Sequence, residues 1–195
     1  MRKLLMLCAP MILLLLCSCG SATGQTAELQ SRYQTIQTAV MEAEVTSHLP
    51  TDDRTYTLRC DYDAVGRSDV TVVAPASLAG LTAGVEGDKL TLNYDGSCLD
   101  AGLLGDVCAA DCLPRLMKAV SSGYVTEQSR EKLEGTECLR VVFDTTGSSG
   151  EKVDYAVWFT ASDQLPCYME ISTDGQVVLS GLFHSFTKGE SLSAP

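Results

Sequence analysis

The stretch TYTLRCDY, residues 55–62, decides the fold class, because apolar and polar side chains alternate along it. Successive side chains of a β-strand point to opposite faces of a sheet, so a period of two predicts a strand with one buried face. Residues 41–46 alternate in the same way, and the apolar residues 70–73 follow after a turn at Gly66. These three segments therefore predict three antiparallel strands in sequence order.

The segment before these strands has a different period. Its apolar residues Leu29, Tyr33, Ile36 and Val40 are four, three and four positions apart. This spacing places them on one stripe of a helix. We therefore predict an amphipathic helix over residues 26–41.

The rest of the chain predicts more strands around a helical insertion. Alternation or short apolar runs between turn residues indicate strands at 81–85, 89–94, 125–133, 138–144, 153–160, 167–172 and 176–186. Residues 102–123 break this pattern, since Asp106 can cap a helical turn and Pro114 can begin another. Four apolar residues of the insertion share one helical face: Leu113, Leu116, Met117 and Val120. We expect a short helical lid at residues 102–123.

The N-terminus reads as a lipoprotein export signal. Arg2 and Lys3 precede an apolar run over residues 4–16, which is shorter than the roughly 20 residues that cross a bilayer. The sequence Leu16-Cys17-Ser18-Cys19-Gly20 is similar to the lipobox of bacterial lipoproteins, whose cysteine is lipidated and becomes the N-terminus. We predict lipidation of Cys19; a plain signal peptide or an uncleaved anchor is the alternative.

This interpretation divides the chain into four parts. Residues 1–18 form the signal peptide, 19–25 a lipidated tether, 26–187 the folded domain and 188–195 a flexible tail. No internal repeat or second domain boundary is visible within the 195 residues.

The charge balance excludes a nucleic-acid partner and constrains how the membrane is bound. Lys and Arg number 14 against 25 Asp and Glu, for a net charge of −11, the opposite of what phosphate binding requires. Removal of the signal peptide takes away two cations and leaves −13. Anionic lipids repel such a surface, so the acyl chains on Cys19 must hold the protein to the outer face of the bacterial cell membrane.

The order of elements resembles the LolA/LolB-like lipoprotein carriers over residues 27–187. The markers are Val73-Ala74-Pro75 after the third strand, the hairpin sequence VEGDKL at 85–90, and LPCY at 165–168 followed by TDG at 173–175. With the lipobox, they resemble the family's membrane-anchored members, which include germination lipoproteins of spore-forming bacteria. The resemblance implies an α+β, mainly antiparallel fold: a curved, incomplete β-barrel (half-barrel) with an N-terminal helix and a helical lid insertion.

The resemblance also implies a binding surface, because the concave face of these carriers holds acyl chains. A curved sheet that does not close leaves an apolar concavity that side chains, a helix or a ligand must fill. Arg59 is the nearest candidate for the early-strand arginine that helps to hold the lid in some carriers. The candidate ligand-binding residues are Tyr56, Leu58, Val70, Val72, Leu90, Leu92, Tyr94, Val141, Phe143, Tyr155, Val157 and Phe159.

Catalytic and cofactor motifs are absent from the sequence. His48 and His184 are its two histidines, and neither a Gly-x-Ser-x-Gly elbow nor a phosphate-binding glycine loop occurs. Asp61, Asp63 and Gly66 begin like a calcium loop, but Val65 and Val72 occupy ligand positions, which favours a solvated hairpin turn. We therefore expect a protein that is not an enzyme and that has no cofactor or metal.

Six cysteines remain once Cys8 and Cys17 leave with the signal peptide and Cys19 is lipidated. An even number in an exported domain favours disulfides, although reduced thiols are the alternative. Cys98 with Cys108 or Cys112 is the most plausible bridge, and Cys108 with Cys112 could instead bind a metal. Cys138 and Cys167 lie in predicted strands with one strand between them, so at about 4.8 Å per strand we expect them to be too far apart to bond.

Two functions fit these observations. The first is a carrier or binder of acyl chains or lipoproteins, which requires an apolar void under a lid. The second is a protein-interaction module that holds a cell-envelope or sporulation enzyme, which requires a filled core and an exposed apolar patch. Trp158 is expected on the outer face and would mark such a patch if exposed. A fold alone does not decide between them.

Overall fold

The computed structural model describes residues 20–103, 107–146 and 150–189, with two helices and one antiparallel sheet in those ranges. The helices are α1, Gly20–Gln34, and α2, Cys112–Ser122. The first six strands are β1 Thr38–His48, β2 Asp53–Asp63, β3 Arg67–Ala74, β4 Thr82–Glu86, β5 Lys89–Tyr94 and β6 Ser97–Leu103. The other five are β7 Tyr124–Leu133, β8 Thr136–Thr146, β9 Lys152–Thr160, β10 Pro166–Thr173 and β11 Gln176–Lys188.

The sheet is an open meander whose two halves are joined by its first and last strands. Its order is β6-β5-β4-β3-β2-β1-β11-β10-β9-β8-β7. β1 pairs with β11 from Ala39 opposite Lys188 to Ser47 opposite Leu179. In the described residues β6 and β7 pair on one side only, so the sheet does not close. This open sheet confirms the mainly antiparallel, incomplete barrel.

No helix of the described part is long and apolar enough to span a bilayer.

The core lies between the sheet and the two helices. Alternate residues of β1 are buried, whereas Glu42 and Glu44 between them are not, which confirms the predicted period of two. From the helical side, Leu29 and Tyr33 of α1 are buried, and the Tyr33 ring meets the ring of Phe159 edge-on at 5.4 Å. The predicted apolar face of α2 is buried in the same cluster: Leu113, Leu116, Met117 and Val120.

The first helix lies earlier in the chain than the predicted residues 26–41. It spans Gly20–Gln34 and includes small polar residues that were expected to form the tether, since no proline there interrupts the helix. It ends at Gln34, because from Thr38 onward the backbone pairs with β2 and β11 at once. A strand that is paired on both sides has more of its backbone N–H and C=O groups hydrogen-bonded than the end of a helix does. Val40, which was predicted on the helical stripe, therefore lies in β1.

The insertion also differs from the predicted lid at residues 102–123. Gly102 belongs to β6, a strand that the sequence did not reveal, and α2 occupies residues 112–122 alone. β6 is an edge strand that is exposed on both faces where its burial is described, so it carries no period-two pattern. Asp106 lies outside the described residues. Pro114 is the third residue of α2. Because it lies in the first turn, where backbone N–H groups have no partner within the helix, its missing N–H costs no hydrogen bond.

A buried ion pair fixes the start of α2. Asp111 at the N-cap position is 1% exposed and pairs with Arg115 at 2.8 Å. It also accepts the backbone N–H of Cys108 at 3.1 Å. Burial raises the pKa of Asp111 above its ordinary value, and the nearby Arg115 acts in the opposite direction. The start of the helix therefore depends on a carboxylate that has been removed from water.

We expect Asp111→Ala to lower the free energy of unfolding by about 3 kcal/mol, because it removes the buried carboxylate that pairs with Arg115 and accepts the backbone N–H of Cys108. The matched control is Asp61→Ala, which breaks the Arg59–Asp61 pair, half exposed on both sides, and should cost less than about 1 kcal/mol. Urea unfolding measures both. Equal losses would show that the Asp111 pair does not stabilise α2.

Candidate functional site

The concave face of the sheet is filled by the protein's own helices. Eight of the twelve predicted ligand residues are buried: Leu58, Val70, Val72, Val141, Phe143, Tyr155, Val157 and Phe159. Three are half-buried, namely Tyr56, Leu90 and Leu92, and Tyr94 is 48% exposed. These residues do share a face, but α1 and α2 already cover most of it.

A cleft of about 880 Å³ runs along α2. Its walls come from both halves of the sheet: the β2–β3 and β4–β5 turns in the first half, and the paired ends of β8 and β9 in the second. The end of α1 closes it at Tyr33 and Gln34. Of the twelve predicted ligand residues, Tyr155 lines this cleft. Its volume lies within the range of about 300–1,000 Å³ that is usual for ligand sites.

The cleft is lined by apolar, polar and charged side chains. Ile36, Val85 and Val153 line it and are buried, whereas Lys118 and Asp88 line it and are exposed. A surface of this kind suits an amphiphilic molecule, because an apolar chain can be buried while a polar head stays in water.

Tyrosine hydroxyls add hydrogen-bonding groups without charge. Burial raises the pKa of Tyr155 to about 12 and raises the pKa of Tyr33 and Tyr62 as well. All three line the cleft and are neutral at pH 7. The Tyr33 hydroxyl already donates to the carbonyl oxygen of Gln164 at 2.9 Å.

Arg59 does not face the lid, contrary to the expectation from the carriers. Its guanidinium pairs with Asp61 at 3.2 Å, and both side chains are half exposed. Leu58 and Cys60, its neighbours along β2, are buried in the core, so Arg59 belongs to the outer face of the strand. The cation that lines the cleft is instead Arg115 of α2, together with Lys118.

The calcium-like segment is a hairpin turn held by its own aspartate. Asp63 Oδ1 accepts the backbone N–H groups of Val65 at 3.0 Å and Gly66 at 2.8 Å. These hydrogen bonds hold the pKa of Asp63 below its ordinary value. In the described part of the chain no cluster of three or more metal-ligating side chains occurs. The carboxylate thus stabilises the β2–β3 turn.

Three outer-face residues form a hydrogen-bonded chain that sequence reasoning missed. His48 Nε2 lies 2.9 Å from Ser180 Oγ, and His48 Nδ1 lies 3.1 Å from Asp53 Oδ2, which is the order of a serine hydrolase triad. Only the pairing of β1 with β11 brings Ser180 to His48 across 132 positions. No local sequence signal could have revealed it.

The backbone N–H of Ser180 is engaged in the sheet. Ser180 is paired with Thr46 of β1 on one side and with Glu170 of β10 on the other. Its backbone N–H therefore points into a ladder and cannot stabilise an oxyanion. The hydrogen-bonded side chains of His48, Asp53 and Ser180 can instead link β1, β2 and β11.

Trp158 lies on the outer face, as expected, but it is only 8% exposed. The guanidinium of Arg140 lies 5.1 Å from the centre of its ring, and the ring of Tyr168 meets it at 5.2 Å. Its Nε1–H donates to Glu131 Oε2 at 3.0 Å. With both its faces and its N–H engaged, Trp158 does not present an open aromatic surface.

The cysteines differ from the expected pattern. All six of the predicted domain are free thiols, so the expected bridge from Cys98 to Cys108 or Cys112 is not formed. Cys138 and Cys167, which were expected to be too far apart, have sulfur atoms only 3.6 Å from each other. Cys19 and the signal peptide lie outside the described residues.

Comparison with known proteins identifies the fold alone. No protein-family model and no curated protein matches the chain. A LolA superfamily protein from Nitrosomonas europaea aligns with a TM-score of 0.50 and 12% identity over 88% of this chain and 96% of that one. An uncharacterized conserved protein from Thermus thermophilus gives a TM-score of 0.51 and 9% identity over 87% of this chain and 88% of that one.

A chain from the complex of the CwlD amidase with the GerS lipoprotein of Clostridioides difficile aligns less well. Its TM-score is 0.37 at 14% identity, over 90% of this chain and 97% of that one. That value is too low to suggest a shared partner. The alignment with the Nitrosomonas europaea protein shows the LolA-like fold that the order of elements predicts.

We expect Ser180→Ala to leave the hydrolysis of p-nitrophenyl acetate unchanged, because the backbone of Ser180 is paired on both sides and its own N–H cannot stabilise an oxyanion. The matched control is Ser172→Ala, a serine of the neighbouring strand β10. Release of p-nitrophenol measures the rate. A tenfold or greater loss in Ser180→Ala alone would contradict this and identify a working nucleophile.

Proposed function

We propose that the protein is a non-enzymatic, lipid-anchored binding protein of the bacterial cell envelope, and that it holds the acyl chain of a lipid or lipoprotein in the cleft along α2. The observation that carries this proposal is the cleft of about 880 Å³, whose lining combines apolar with charged side chains. The LolA-like fold agrees with it. The ligand site is thus displaced from the concave face, which the helices fill, to the groove beside α2.

The lipid anchor and the net charge determine, in this proposal, how the domain is attached to the membrane. Lipid on Cys19 would stand one residue before α1, whose Leu29 and Tyr33 are buried in the core. The domain would then be held close to the bilayer, without a long flexible linker between the lipid and the first helix. Its predicted net charge of −13 disfavours contact with anionic headgroups, so attachment would come from the acyl chains.

We expect Ser122→Trp to weaken acyl-chain binding at least tenfold, because Ser122 is exposed on α2, lines the cleft and can carry a bulky ring into it. The control is Ser185→Trp on β11, exposed and away from the cleft. Residues 20–195 would be titrated with a fluorescent fatty acid. The proposal fails if the unsubstituted protein binds no acyl probe, or if both variants bind as it does.

A second candidate, a protein-interaction module, is favoured by one end of the sheet. Leu99 of β6 is 63% exposed and Tyr94 of β5 is 48% exposed, beside an edge that is paired on one side only in the described residues. Exposed apolar side chains on an unpaired edge are suited to the addition of a partner strand.

For this candidate, we expect Leu99→Lys to abolish co-purification of a partner from envelope membranes, because a charge at the edge opposes strand addition. Val65→Lys is the matched control, since Val65 is 88% exposed but lies in the β2–β3 turn. A partner retained by both variants would exclude the β6 edge as its binding site.

A further inference from the structure

Two thiols meet on the outer face of the sheet although a strand lies between them. Cys138 is on β8, opposite Thr160 of β9, and Cys167 is on β10. Their sulfur atoms are 3.6 Å apart. Neighbouring strands are about 4.8 Å apart, so regular pairing would have kept these sulfurs from contact.

A bulge in β10 explains the approach. Pro166 pairs with Phe159 and Tyr168 pairs with Trp158, so Cys167 is an extra residue without a partner in the ladder. A bulged residue re-aims its side chain and bends its strand. Cys167 Sγ lies 3.3 Å from the carbonyl oxygen of Trp158, which places the sulfur over the backbone of β9.

The strand between the two cysteines leaves room for a bond. Phe159 of β9 sends its ring into the core and is fully buried there. Its side chain therefore does not separate the two sulfurs on the outer face. Cys138, Cys167 and Trp158 belong to one small apolar cluster on that face.

We propose that Cys138 and Cys167 form a disulfide that ties β8 to β10 across β9 when the protein meets a disulfide oxidant. The S–S bond is about 2.05 Å long, so the sulfurs must approach by about 1.6 Å from their present separation. The unpaired residue at the bulge supplies that movement without the loss of a ladder pair. This inference does not depend on the proposed ligand site.

The reaction is a thiol–disulfide exchange with a small disulfide such as glutathione disulfide, or with the disulfide of an oxidoreductase. One cysteine attacks the oxidant as thiolate, forms a mixed disulfide and releases one reduced thiol. The second cysteine then attacks the mixed disulfide and releases the other. The pair loses two electrons and two protons, and the oxidant gains both.

Reaction should be slow without a catalyst, because the thiolate is the attacking species. Burial, together with the neighbouring Cys138 thiol, raises the pKa of Cys167 to about 12. That thiol is protonated at neutral pH. Once formed, the bond would enclose residues 138–167 and restrain β8 and β9, whose paired ends form one wall of the cleft.

Trp158 provides a specific reporter, because it is the only tryptophan in the chain and packs with both cysteines. The full chain, purified in detergent under reducing conditions, would be incubated with glutathione disulfide. We expect quenching of Trp158 fluorescence that dithiothreitol reverses, and a non-reduced proteolytic fragment that links Cys138 to Cys167.

Matched variants separate this pair from the other cysteines. Cys138→Ser and Cys167→Ser should each lose the fluorescence response, whereas Cys98→Ser combined with Cys108→Ser should keep it. Peptide mapping of the unsubstituted chain identifies which cysteines are bonded to each other, even if a variant fails to fold. The proposal is overturned if Cys138 and Cys167 stay open to alkylation after full oxidation, or if either pairs with another cysteine.

Discussion

The fold depends on one constraint, namely that an open, curved sheet must cover its concave apolar face. A closed barrel would bury that face by itself, but here β6 and β7 pair on one side only in the described residues. The helices supply the cover, with Leu29 and Tyr33 from α1 and the apolar face of α2. The ion pair at Asp111 then sets where α2 begins.

This cover explains where a ligand can bind. Phe143, Val157 and Phe159 are fully buried, so the concave face offers no space of its own at β8 and β9. Space remains where α2 meets the turns of one half of the sheet and the strand ends of the other. The protein thus keeps a LolA-like architecture while its cavity lies beside the helix. Buried apolar side chains beside the exposed Lys118 favour a molecule with a chain and a polar head.

Sequence periodicity predicted the parts of this structure that depend on local pattern. The alternation at residues 55–62 predicted β2, and the stripe through Leu29 and Tyr33 predicted the buried face of the first helix. Features that depend on distant pairing were not predictable. Ser180 reaches His48 only through β1 and β11, and Cys167 reaches Cys138 only through a bulge. The cleft likewise forms between segments that lie far apart in the chain.

Hydrogen–deuterium exchange with and without a saturating fatty acid distinguishes a ligand in the cleft along α2 from a ligand on the concave face. We expect added protection in α2 and at the paired ends of β8 and β9, with no change in the middle of β2 and β3. Protection that appears across the middle of β2 and β3 while α2 becomes less protected would contradict this expectation, because the acyl chain would then have replaced the helix.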